Sequence, residues 1–190
     1  KLLNKIIKKI PLFRTLLERK EKKKAMNKIA DWEQKGKPVP PPEIIKQQTL
    51  ESYGKKFGLK ILVETGTYYG SMVEAMKKNF ERIYSIELSD ELYEKAKNRF
   101  KAEKHIEIIH GDSGVEIKNI VDRINQPALY WLDGHYSAGE TARGEKDTPI
   151  CEELEHILET PDRENVIIID DASCFGTNPA YPGIEELRDF

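Results

Sequence analysis

Ile61-Leu-Val-Glu-Thr-Gly-Thr-Tyr-Tyr-Gly-Ser71 is the stretch whose reading decides the fold. Lys60 to Val63 carry a short apolar run with a branched bias, which suits a strand buried on both faces. Glu64 stands where that strand is expected to end. Gly66 and Gly70 follow, and from Ser71 the period changes, with Met72, Val73, Met76 and Phe80 on one face of a helix. A strand, a glycine turn and a helix result. Glycine there either terminates the strand or supplies positive φ, so that backbone comes close to a ligand. At the carboxyl edge of a parallel sheet, such a turn is where α/β proteins bind nucleotides.

The next strand favours the ligand reading. Arg82 to Ile86 is a second buried-looking run, and Glu87 closes it roughly 20 residues beyond the glycines, where a carboxylate accepts from ribose hydroxyls. The glycines are spaced G-x-x-x-G rather than G-x-G-x-x-G, and no G-x-x-x-x-G-K-[ST] occurs, so a pyrophosphate cradle is disfavoured. Three further strands are expected: His105–His110 before Gly111-Asp112-Ser113, Ala128–Leu132 before Asp133-Gly134-His135, and Asn165–Ile169 before Asp170-Asp171. Helices are expected between them, one at Pro149–Glu159, with another beginning at Pro182. Alternation of this kind predicts an α/β fold, a Rossmann-like parallel sheet with helices on both faces. Each strand ends in an acidic residue or a Gly-Asp pair, and five at one sheet edge suggest a site.

Charge is unevenly spread. Residues 1–30 hold eleven Lys/Arg and two Glu, a net +9, so the remaining twenty basic and thirty-one acidic residues leave −11 on residues 31–190. The acidic globular part makes a nucleic-acid partner unlikely. Residues 1–35 read as a basic amphipathic helical extension, with Leu2, Leu3, Ile6, Ile7 and Ile10 on one face. Through residues 1–24 it is expected to pack on the domain, on a second copy in a homo-oligomer, or on an anionic membrane periphery. Residues 36–58 form a Pro-rich connector and a helix, and residues 59–190 the α/β domain. Cys151 and Cys174 give neither a disulfide framework nor zinc spacing, so a reducing, cytoplasmic setting is expected.

As a set, Val-Glu-Thr-Gly-Thr-Tyr-Tyr-Gly, Glu87, Gly111-Asp-Ser113, Trp131-Leu-Asp-Gly-His135 and Ile168-Ile-Asp-Asp171 resemble class I S-adenosylmethionine-dependent methyltransferases, over about Leu59 to Arg188. The resemblance implies that Glu64 to Ser71 wrap the methionine part of S-adenosylmethionine, with backbone of Gly66, Thr67 and Tyr68 close to it and Gly70 shaping the turn. It places Glu87 on the ribose and Asp112 with Ser113 on the adenine amino group, with Asp133 beside them. Asp112 has a second reading, as the cap of the helix that follows. It also implies a lid from the helix in residues 43–57, and a final antiparallel strand pair that is expected to be missing here.

For transfer to oxygen the acceptor must lose a proton. His135, with Asp133, is the expected catalytic pair, although a lone loop histidine is more often a structural hydrogen-bond donor. A second route is a Mg²⁺ ion held by Asp133, Asp170 and Asp171, a hard oxygen site similar to that of metal-dependent O-methyltransferases of catechols and macrolide sugars. Arg143 and Lys146, in the long loop after His135, are candidates for an anionic substrate group. The expected function is methylation of a small-molecule or sugar hydroxyl. The competing classes are a nicotinamide oxidoreductase on a related sheet and a non-catalytic scaffold that docks through its basic arm.

Overall fold

The computed structural model describes residues 11–134, 148–160, 163–179 and 181–188, the backbone alone at 11–18 and at 21 and 22. It divides into two compact units, Lys1–Gln48 and Thr49–Phe190. The amphipathic face expected over residues 1–10 lies outside the described residues.

In the first unit α1 spans Pro11–Gln34, with proline in the first turn, where its missing N–H costs nothing. Between residues 19 and 34 none of the described side chains is buried, and Met26 stands exposed. The helix ends in a tight exit, where Gly36 takes a left-handed φ and the Trp32 indole N–H donates to Pro38 O at 2.7 Å. Helix α2, Glu43–Phe57, follows the proline connector.

The second unit is built on five parallel strands in the order β3-β2-β1-β4-β5. These are β1 Ile61–Thr65, β2 Arg82–Glu87, β3 Ile106–His110, β4 Ala128–Leu132 and β5 Val166–Ile169. Side chains alternate across the sheet, and each face has its own core. Ile61, Val63, Tyr130 and Leu132 pack with helices α5 (Ser113–Arg123) and α6 (Ile150–Leu158) through Ile117, Ile120, Ile150 and Leu154. Leu62, Ile83, Leu129 and Trp131 pack with Leu50 of α2, with Met72, Val73 and Met76 of α3 (Ser71–Met76), and with Phe100 of α4 (Asp90–Phe100). The chain order makes β1 and β4 the pair at which the strand order reverses, the crevice where open α/β sheets bind ligands.

Three expectations are corrected. Strand β1 runs through Glu64 and ends at Thr65, because both residues are buried in the sheet. Helix α3 stops at Met76, and Phe80 reaches the core from the following loop. Leu50 of α2 is fully buried and Gly54 sits against the Phe80 ring. Beyond Pro182 the described residues hold a 3₁₀ turn at Glu186–Arg188 in place of a longer helix. Among the described residues no strand follows β5, and no helix is long and apolar enough to cross a membrane.

Candidate functional site

The loop after β1 is folded back onto β2. Gly66 and Thr67 donate their N–H groups to Ile86 O, both at 3.0 Å, and Tyr68 donates its own to Glu87 Oε2 at 2.7 Å. Three amides expected along the cofactor are therefore taken up within the protein. Gly66 has φ 82° and must be glycine, because a Cβ there would lie 2.4 Å from Asp133 O. Tyr68 also takes a left-handed φ, 49°, an uncommon state for a bulky residue, and its ring is 45% exposed, edge-on to Tyr69. Ser71, the first residue of α3, is exposed, and the cap position is Gly70, which packs on the Phe100 ring.

Two acids flank this loop. Glu87 is 6% exposed, and besides Tyr68 it accepts from Ser89 N–H at 2.9 Å through Oε1. An ionised carboxylate has about four lone-pair positions, so each oxygen retains acceptor capacity. Glu64, 2% exposed, accepts from the Ser85 hydroxyl, which is itself 2.6 Å from Thr67 Oγ1. Burial pushes the Glu64 carboxyl up to about 8 against the opposing Ser85 hydrogen bond, and the charges of Asp133 and Glu87 add to the rise.

On the other face stands a third acid that the sequence does not single out. Glu153 of α6 is 1% exposed and accepts from the Ser113 hydroxyl at 2.6 Å. Ser113 is thus committed to Glu153. Thr65, the last residue of β1, accepts the Asp133 N–H at 3.1 Å and hydrogen-bonds Glu153 with its hydroxyl. Burial again dominates, raising Glu153 to about 7, with Asp112 and Asp133 contributing. One signal points to it: Glu153 falls on the stripe Ile150, Leu154, Ile157, the buried face of its helix. Asp112 is the N-cap of α5, accepting from Gly114 N–H at 2.9 Å, so its capping reading is realised. One oxygen serves the cap.

Below the ends of β4 and β5 lies a cleft lined by Asp133, Gly134, Thr148, Glu153, Asp171 and Tyr181, among others. The Tyr181 hydroxyl donates to Asp171 Oδ2 at 3.1 Å, and burial, helped by the Asp171 charge, keeps that phenol protonated. Among the described residues no group of three or more His, Cys, Asp or Glu is arranged to hold an ion. His135, Arg143 and Lys146 lie outside the described residues.

No protein-family model matches the chain, and no curated protein matches it by sequence. Among solved structures it is similar to the O-methyltransferase TomG of Streptomyces achromogenes, involved in tomaymycin synthesis and solved with SAM, at 17% identity over 87% of this chain and 74% of that one, TM-score 0.56. A caffeoyl-CoA O-methyltransferase-like protein of Staphylococcus aureus aligns at 14% identity over 86% and 74%, TM-score 0.52. The SAH-bound methyltransferase PaMTH1 of Podospora anserina aligns at 16% over 76% and 61%, TM-score 0.52. For two further O-methyltransferase structures the chain spans about half the length, 53% and 52%. The likeness is one of fold.

Proposed function

We propose that this chain, which has the fold of class I S-adenosylmethionine-dependent methyltransferases, transfers a methyl group from S-adenosylmethionine to a hydroxyl of a small molecule or sugar. The observation that carries the reading is the chemistry of the rim at β1 and β4. Glu64, Glu87, Asp112, Asp133 and Glu153 are electrostatically linked there, while the N–H groups of Gly66, Thr67 and Tyr68 face β2. A rim lined by several carboxyl groups suits an adenosyl ligand that carries a positive sulfonium. It repels a dinucleotide, whose two phosphates need N–H donors and positive charge.

In this reading Glu87 holds the ribose hydroxyls with its remaining lone pairs, Asp112 lies by the adenine, and Asp133 lies by the reacting end. Bound there, S-adenosylmethionine supplies an activated methyl group and leaves as the neutral thioether. The residues of the rim align the acceptor oxygen and keep water out. The hydroxyl proton goes to a general base, for which His135 is the candidate.

Calorimetry on the whole chain tests this. Micromolar binding of S-adenosylhomocysteine, with none of NAD, is the expected result. Protein that is folded and binds neither would overturn it and favour the scaffold reading.

A further inference from the structure

We infer that Glu153 is a positioning residue, gathering the loops after β1, β3 and β4 into one rim by accepting the hydroxyls of Thr65 and Ser113 beneath Gly134. The inference rests on the methyltransferase reading, since the rim it organises is the proposed cofactor site.

Four segments meet at this carboxyl group. Ser113 opens α5 immediately after the cap Asp112, and donates to Oε1 at 2.6 Å. Thr65 closes β1, and it relays the contact by accepting from Asp133 N–H at 3.1 Å. Gly134 lies on top: a Cβ there would sit 3.0 Å from Glu153 Oε1, 3.0 Å from Ser113 Oγ and 3.2 Å from Thr65 Oγ1. Glu153 itself comes from α6, on the far side of residues 135–147, and lines the cleft at the ends of β4 and β5. The hydrogen-bond path thus runs from Asp133 N–H to Thr65, to Glu153 and back to Ser113. Loops that would bind the adenine, the methionine part and the reacting end are joined through one side chain.

Folding alone does not ask for an acid here. Its neighbours on the same stripe, Ile150, Leu154 and Ile157, are core residues, and an apolar group at the site would avoid the desolvation that a buried carboxyl suffers. Groups of this kind are commonly retained where function needs them, at the expense of stability.

The test uses the whole chain and S-adenosylhomocysteine as the probe. Glu153→Leu should stay folded at pH 8, while the Kd for S-adenosylhomocysteine weakens about 30-fold. That loss follows from leaving two buried hydroxyls without their acceptor and the loops unpinned. Glu153→Gln, which retains an acceptor for Ser113, should recover most of the affinity, to within about fivefold of the unmodified chain. If Glu153→Leu does not fold, Ser113→Ala combined with Glu153→Gln supplies the answer, because a shared path requires their effects on Kd to be non-additive. Unchanged affinity in a folded Glu153→Leu protein, or additive effects in the double variant, would overturn the inference and leave the methyltransferase reading intact. Absence of S-adenosylhomocysteine binding by the unmodified chain would overturn both.

Discussion

Glu64 and Glu153 are two buried acids on opposite faces of the sheet, within reach of the same Asp133. Glu64 lies on the face of Leu62, packed by α3 and α4, and its partner Ser85 comes from the adjacent strand β2 and in turn meets Thr67 of the loop between β1 and α3. Glu153 lies on the face of α5 and α6, and its partners come from β1 and from the start of α5, 40 residues away in the case of Ser113. The first acid is locally satisfied, and the second ties distant segments together. A buried carboxyl of the first kind stiffens one crossover, whereas one of the second kind sets the shape of a site.

The largest expected effect separates the two acids by pH. Both carboxyls have folded-state values raised above their ordinary 4.5, Glu64 to about 8 and Glu153 to about 7. A raised carboxyl takes up a proton on folding, so its contribution is complete below about 4.5 and is lost as pH rises through the folded value. A tenfold change in a protonation equilibrium is worth about 1.4 kcal/mol, which makes the whole effect a few kcal/mol. Urea unfolding of the unmodified chain should show stability falling from pH 5 to pH 8. Glu64→Gln should remove the part of that slope that extends to pH 8, and Glu153→Gln only the part that ends near pH 7. Equal slopes in all three proteins would mean that neither acid is buried in the protonated form.

That contrast also explains what is legible in the sequence. The parallel sheet, its five strands and the acids at their ends can be read from short apolar runs and from Gly66, since these signals are local. Glu87 is likewise within reach, because its distance from the glycine turn is set by one crossover helix. Glu64 stands out in the sequence but reads as a strand end, as a carboxylate is hard to expect inside a buried strand. Glu153 stays hidden because its significance depends on Thr65 and Ser113, which only tertiary structure brings to it. Its place on an apolar helical stripe is the one available sign. Likewise the sequence places Asp171 at the sheet edge with Asp133 and Asp170, but gives no sign that Tyr181, ten residues beyond it, donates to that carboxylate.

A sharper comparison uses the two glycines at the junction. Gly66→Ala forces a Cβ to within 2.4 Å of a backbone oxygen, Asp133 O, at φ 82°. Neither strand can retreat without breaking β1–β4 pairing, so a loss of about 3 kcal/mol is expected. Gly134→Ala meets only side-chain oxygens, at 3.0 to 3.2 Å, which can give by a few tenths of an ångström. Its expected loss is about 1 kcal/mol, accompanied by weaker S-adenosylhomocysteine binding, since the group displaced is the Thr65–Ser113–Glu153 cluster. Chemical denaturation of both variants checks the order, and a Gly134→Ala protein less stable than Gly66→Ala would reverse the assignment of rigid and yielding sides.

The smallest effect is expected at Ser71, which belongs to neither cluster. It is exposed, and the cap position before it is filled by Gly70 without a side-chain hydrogen bond. Ser71→Ala should change stability by no more than about 0.5 kcal/mol and should leave the affinity for S-adenosylhomocysteine within about threefold. Titration calorimetry of this variant beside Glu153→Leu isolates what burial adds: both residues border the same rim, and only the buried one is joined to three loops at once. A large loss at Ser71 would locate the binding determinants on the exposed tip of the first loop, and the division between a local and a long-range acid would then say little about the site.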